Sequence, residues 1–133
     1  MTSVAVMKVD PPGLFRAPHF SQAVVVETPA RILFTAGQVG GDGFGAVTST
    51  DFEAQAIEAF DHLELILTHA GMTMADVVKV TGYLTERKHL DAYRRLFLER
   101  LGAARPSSTV VIAELVDPRL LIEIEAVAAG AAV

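Results

Sequence analysis

The sequence predicts an α+β fold in which a mixed sheet of about six strands carries two helices on one face. Three observations support this: the predicted elements run in the order ββ-α-β-α-ββ, each helix has one apolar stripe, and 133 residues suit one core. We therefore expect one domain over residues 1–133. Two helices cover only one face of such a sheet, so the other face must meet something else.

Short β-branched runs predict strands near the start of the chain. Residues 23–27 and 31–35 flank a turn at 28–30, which predicts an antiparallel hairpin, and a further strand is predicted at 4–9. A glycine cluster between Gly37 and Gly45 then indicates a loop.

The clearest helix is predicted over residues 51–70, where apolar residues recur at three- and four-residue spacing. Thr50 or Asp51 is placed to cap its start, and Gly71 to end it. A strand is predicted at 76–85, a second helix at 88–101 ending at Gly102, and final strands at 109–115 and 120–128.

Composition restricts the function classes. Half of the residues are apolar and the mean hydropathy is +0.40, which favours apolar surface buried between subunits of a homo-oligomer. The net charge of −5 disfavours nucleic-acid binding, and no apolar run approaches a membrane span. With no secretory signal recognised at the start, a cytoplasmic location is the default. The absence of cysteine excludes thiolate nucleophiles and disulfides.

The last strand carries the most informative side chains. Glu123 and Glu125 alternate with Ile122 and Ile124, so both carboxylates face one side of the sheet. A buried carboxylate is costly unless it is paired or functional, and both a surface pair and a functional site remain open. Three hydroxyls follow Pro106, at 107–109; without a nearby base they favour ligand binding or loop capping over a serine nucleophile.

Two other patterns favour structural roles. His62 and His69 lie seven residues apart, which does not match the HExxH metal spacing, so we expect surface histidines. The arginines of the second helix alternate with acidic residues, which predicts a solvated face.

Six segments, in this order, resemble the RidA (YjgF/YER057c/UK114) family, also labelled endoribonuclease L-PSP. They are Phe-Ser-Gln-Ala at 20–23, Phe-Thr-Ala-Gly-Gln at 34–38, Gln55, the run at 70–79, Arg-Pro-Ser-Ser-Thr at 105–109 and Ile-Glu-Ile-Glu-Ala-Val-Ala at 122–128. The resemblance implies a chorismate-mutase-like fold and a homotrimer with ligand clefts between subunits. It also implies hydrolysis of enamines or imines, such as 2-aminoacrylate, to a keto acid and ammonia, without metal or organic cofactor.

In this resemblance Glu123 matches a glutamate that positions water, and Gly37 and Gln38 match the glycine-containing strand exit. The family's usual loop reads Pro-Ala-Arg-Ser, and a gapless alignment puts Ser107 at the position of its carboxylate-clamping arginine. Arg105 stands two residues earlier, and only a slip of the loop would aim it at the cleft. Other departures are Ala36 for a serine and Phe20 for a tyrosine, and Ser108 completes the predicted lining.

These departures predict a deaminase-like hydrolase acting on a substrate other than a simple 2-imino carboxylate, because losing a bidentate arginine weakens carboxylate binding. The alternative is a non-catalytic homotrimer that binds a small metabolite or a partner. Ribonuclease activity, suggested only by the family label, is disfavoured by the acidic balance and the lack of a histidine acid–base pair. We expect a small-molecule ligand, no metal, no cofactor, no nucleic acid and no membrane.

Overall fold

The protein, described by a computed structural model over residues 5–131, folds into a five-stranded sheet, a separate two-stranded ladder and two helices. The strands and helices are β1 (Ala5–Val9), β2 (Ala23–Glu27), β3 (Arg31–Phe34), β4 (Gln38–Val39), α1 (Phe52–His69), β5 (Val77–Leu84), α2 (Leu90–Leu101), β6 (Ser107–Ile112) and β7 (Ile122–Gly130).

The five-stranded sheet is mixed and runs in the order β3-β7-β5-β6, with β4 also pairing with β7. The β5–β6 pair is parallel, and the pairings of β7 are antiparallel. This confirms the predicted α+β class. The connection between parallel β5 and β6 is α2, as a crossover requires.

The predicted hairpin of β2 with β3 is wrong. β2 pairs with β1, and β3 pairs with β7. Thr28 adopts a positive φ of 46° at the turn, and from there the chain passes from one sheet to the other. Local turn chemistry predicted the turn correctly, but it does not determine which strand each edge meets.

Helix α1 begins and ends where the sequence predicts. Asp51 caps it by accepting a hydrogen bond from the Ala54 backbone N–H at 3.0 Å, and Gly71 follows it with φ of 77°. The buried stripe packs onto β7 and on α2 around Phe60, Leu63, Leu67 and Tyr93.

The two faces of the sheet differ in what covers them. Ile122 and Ile124 are fully buried beneath the helices, whereas Glu123 and Glu125 are half-buried on the opposite face, as predicted. A bulge between Val77 and Lys79 turns Val77 into the core, against the predicted alternation of β5.

The face without helices, here called the open face, exposes apolar side chains. Phe34 is 74% exposed and Ile32 is 54% exposed. Phe34 lies opposite Val127, which shares a face with Glu125, so these residues line the same side. Neither helix of the described chain has the length and apolarity needed to cross a bilayer.

Candidate functional site

Glu123 rests directly against Gly37. A Cβ atom on Gly37 would lie 2.2 Å from Oε2 of Glu123 and 2.6 Å from its carboxyl carbon. The side chain of Glu123 therefore occupies the space that any other residue at position 37 would fill. Gly37 lies in the segment between β3 and β4. Strand β4 holds this segment next to β7, because Val39 of β4 pairs with Glu123 of β7.

The two glutamates of the open face have different surroundings. Glu125 accepts a hydrogen bond from the Tyr83 hydroxyl, and this bond raises the pKa of Tyr83 above its ordinary value. Across residues 5–131, no side-chain hydrogen bond or salt bridge engages Glu123. Of these two carboxylates, only that of Glu125 is bonded to another side chain of the described residues.

Arg105 is held by the N-terminal segment. Its Nη2 donates to Oδ2 of Asp10 at 2.8 Å and to the carbonyl oxygens of Phe20 at 3.1 Å and Ala17 at 3.2 Å. Its backbone adopts φ of 45°, in the left-handed region. The bond from Arg105 lowers the pKa of Asp10. The guanidinium therefore fixes the segment that carries Phe20.

Ser107 and Ser108 lie at the far edge of the sheet. Ser107 donates through Oγ to the carbonyl of Val78 at 3.2 Å, and it pairs with Lys79 on β5. Glu123 pairs with Tyr83, four residues further along β5. Two strand spacings and four residues of rise separate Ser107 from Glu123 by ~16 Å within one chain.

The predicted site residues thus form two groups. Gly37 and Gln38 lie with Glu123 at the exit of β3, where Gln38 Nε2 donates to the carbonyl of Ala36 at 3.1 Å. Phe20 and Ser108 line a cleft of about 240 Å³ beside β6 and α2. The cleft beside β4, which Gly37 and Gln38 line, contains neither Phe20 nor Ser108.

His62 is not the surface residue that its spacing predicted. It is half-buried, and its Nδ1 lies 2.9 Å from the carbonyl oxygen of Val39. The signal was its position three residues after Ala59 and seven after Gln55, both buried on α1. His69 is exposed, as predicted.

The basic face of α2 forms surface ion pairs, as predicted, but several of the acidic partners lie on α1 and not on the same helix. Arg95 pairs with Glu53, and Arg100 lies 2.9 Å from Asp61 and 3.2 Å from Glu64. Within residues 5–131, no three His, Asp or Glu side chains are grouped as metal ligands.

Comparison with known proteins agrees with this fold. The profile of the family described as Endoribonuclease L-PSP matches residues 14–130. A RutC family protein of Pyrococcus horikoshii is 31% identical over 110 residues, covering 82% of this chain and 85% of the relative.

Solved structures give the same result. A Rid family protein of unknown function from Yersinia pestis superposes with a TM-score of 0.79 at 30% identity, covering 93% of this chain and 98% of that one. A YjgF/YER057c/UK114 family member from Mycobacterium tuberculosis superposes with a TM-score of 0.66 at 30% identity, covering 94% and 99%. The chain belongs to the endoribonuclease L-PSP family, the group of the RidA and YjgF proteins.

Proposed function

We propose that this protein hydrolyses imines or enamines in a cleft between subunits of a homotrimer, with Glu123 as the catalytic residue. The observation that carries the proposal is the carboxylate of Glu123, which lies against Gly37 on the open face and has no side-chain partner in the described residues. The family resemblance supplies the reaction class, and the geometry supports the role of Glu123.

The separation of the two residue groups supports an intersubunit cleft. Glu123 and Gly37 lie at one end of β7, whereas Phe20 and Ser108 lie at the edge beyond β5. A neighbouring copy packed on the open face would cover Phe34. It would also bring its own Phe20 and Ser108, which lie at its sheet edge, close to Glu123. In a cyclic trimer each contact joins two different surfaces of neighbouring subunits. The three contacts are related by symmetry, so the trimer has three identical clefts.

The chemistry that this arrangement supports is hydration of a C=N bond. Glu123 accepts a proton from water as the water oxygen bonds to the imine carbon, and the nitrogen takes up a proton. Glu123 then returns its proton to the nitrogen of the resulting carbinolamine and the C–N bond breaks to release the amine. The hydroxyl proton passes to solvent as the C=O bond forms, which balances the proton that the imine nitrogen took up from solvent. One water is consumed, a carbonyl compound and an amine are released, and nothing is oxidised.

The charges on the open face favour a substrate without a carboxylate. Glu123 and Glu125 are both acidic, and Arg105 is bound to Asp10. Lys79 lies on the same face, but it is four residues away along β5 from Tyr83, which pairs with Glu123. That rise corresponds to a distance of ~13 Å along the strand. A neutral imine therefore fits better than a 2-imino carboxylate.

The test compares two imines made in situ, one neutral from an amine oxidase and one a 2-imino carboxylate from an amino-acid oxidase. We expect the wild-type protein to accelerate hydrolysis of the neutral imine more. Glu123→Gln should lower that rate by about 10²-fold or more, the usual contribution of a general base. Glu125→Gln, on the same strand and face, is the matched control and should retain most of the rate.

Two results would overturn the proposal. Unchanged turnover in Glu123→Gln would remove its catalytic residue. Absence of turnover on either imine, with a small ligand still bound by wild type and variant alike, would favour the non-catalytic binding trimer instead.

A further inference from the structure

The cleft that Phe20 and Ser108 line, of about 240 Å³, is bounded mainly by aromatic side chains. It lies between α2, the edge strand β6 and the segment before β2. We call it the ring pocket. Its other lining residues, which the hydrolysis proposed above does not use, are His19, Tyr93, Arg94, Phe97 and Val110.

Strand β6 contributes to the ring pocket from the side of the sheet that the helices cover. Ser108 pairs with Val80 of β5, and Val110 pairs with Gly82. Val80 is fully buried in the core beneath the helices, and paired positions of neighbouring strands share a face. Ser108 and Val110 therefore lie on the helix side. Because β6 is the last strand in the order of its sheet, the pocket lies at the sheet edge.

Three aromatic rings meet edge to face around this pocket. The ring of His19 lies 5.4 Å from that of Phe20 and 6.1 Å from that of Phe97, at interplanar angles of 79° and 70°. Aromatic rings attract one another at these separations and angles, because the positive edge of one meets the negative face of another. A further ring inside the pocket is offered the same kind of contact.

Tyr93 adds an apolar wall although it has a hydroxyl group. This hydroxyl is buried without a hydrogen-bond partner in the described residues, and it lies against Gly82, where a Cβ would overlap it. The accessible part of Tyr93 is therefore its ring. Tyr93 and Phe97 both belong to the buried core, so these walls are formed before a ligand arrives.

The charges at the ring pocket disfavour a cationic guest. Among the described residues that line it, none is acidic, and Arg94 is the one with a permanent charge. Arg94 is exposed, and within residues 5–131 it forms no salt bridge, unlike its neighbour Arg95, which pairs with Glu53. A guanidinium without a carboxylate partner is available to lie over the face of a bound aromatic ring.

The volume of the ring pocket fits a single ring. A cavity of ~150 Å³ with apolar walls is large enough for benzene. The ring pocket, at about 240 Å³, therefore accommodates a phenyl group together with a short linking chain.

We propose that the ring pocket receives one uncharged aromatic ring of the substrate, so that the protein prefers imines of arylalkyl aldehydes to imines of short alkyl aldehydes. The link to turnover rests on the proposed function, in which the imine carbon meets Glu123 of a neighbouring subunit. Binding of the ring itself does not require turnover, so the two proposals fail separately.

The first test measures binding without turnover. 2-Phenylethanol, which carries the ring but no imine, is titrated into the isotopically labelled full chain and followed by NMR. We expect saturable shifts of the Val110 methyl groups and of the His19 ring, and none at Leu65, an exposed residue of α1. Ethanol at equal concentration lacks the ring and should produce no saturable shift.

The second test compares kcat/KM for imines made in situ by an amine oxidase from 2-phenylethylamine and from propylamine. We expect the aryl imine to be favoured about 10- to 100-fold, the selectivity that burial of one large apolar group provides. Val110→Phe fills the pocket and should lower this ratio about tenfold or more. Leu65→Phe, at an exposed position outside the pocket, is the matched control and should leave the ratio unchanged.

A second variant keeps the test decisive if Val110→Phe does not fold. Arg94→Gln changes an exposed side chain and should lower the ratio about two- to fivefold through loss of the cation–π contact. Equal kcat/KM for both imines, an unchanged ratio in the folded pocket variants, or no saturable binding of 2-phenylethanol would overturn the proposal. Saturable binding at Val110 without turnover of either imine would support the ring pocket and overturn the hydrolysis.

Discussion

Replacing Gly37 with alanine tests how closely Glu123 must be positioned. The new Cβ would lie 2.2 Å from Oε2 of Glu123, and ordinary contact begins at 3.4 Å, so the carboxylate must move by about 1.2 Å (3.4 minus 2.2). A misplacement of ~1 Å at a reacting group can cost about 10²-fold in rate. We therefore expect Gly37→Ala to reduce neutral-imine turnover by about that factor.

Stability should change little in the same variant. Gly37 is not among the glycines with positive φ, so alanine adds no backbone strain there. Alanine also lowers the conformational entropy of the unfolded chain, which stabilises the folded state by about 0.4–1 kcal/mol. The clashing atoms belong to the end of a flexible side chain. Gly130→Ala is the matched control, because its Cβ would meet only Met72 at 3.4 Å.

The assay combines initial rates of neutral-imine hydrolysis with thermal melting of both glycine variants. Loss of rate at an unchanged melting temperature in Gly37→Ala, with full activity in Gly130→Ala, is the expected pattern. Full activity in a correctly folded Gly37→Ala would refute the reasoning, because it would show that the site tolerates displacement of the Glu123 carboxylate.

Two further predictions concern stability. Tyr93→Phe should raise the free energy of unfolding by about 1 kcal/mol in urea denaturation, because the buried Tyr93 hydroxyl finds no partner within the described residues; a loss of stability would show that it is hydrogen-bonded. The Arg105 bond lowers the pKa of Asp10, so this pair stabilises the fold above the pKa of an unfolded aspartate and loses that effect as the pH falls through the lowered value. Arg105→Met should remove this part of the acid dependence and speed hydrogen exchange in residues 10–22, whereas exchange at the wild-type rate would contradict the role given to Arg105.

The sequence was sufficient for features that depend on local periodicity. The 3.6-residue stripe and Asp51 located α1, and alternation on β7 placed Glu123 and Glu125 on one face. The pairing of β2 with β1 could not be predicted from periodicity, because both edges of β2 offer the same backbone hydrogen-bonding groups. Only tertiary packing determines which strand pairs with each edge.

The candidate site was predicted less completely than the fold. Spacing alone could not show that Arg105 turns to Asp10, because that depends on a left-handed backbone at a residue other than glycine. The spacing of His62 from His69 carries no information on burial, whereas the position of His62 on the same side of α1 as the buried Gln55 and Ala59 does. The separation of Ser107 from Glu123 follows from strand order, which the sequence does not state.

Mixing two inactive variants shows whether each active cleft joins Glu123 of one subunit to the Phe20 and Ser108 edge of another. Glu123→Gln removes the carboxylate, and Ser108→Trp fills the opposite half. If the subunits are co-folded at equal amounts, random assembly leaves about a quarter of the clefts with both halves intact. We predict recovery of about a quarter of the wild-type rate of neutral-imine hydrolysis. No recovery from mixed assemblies would contradict the account.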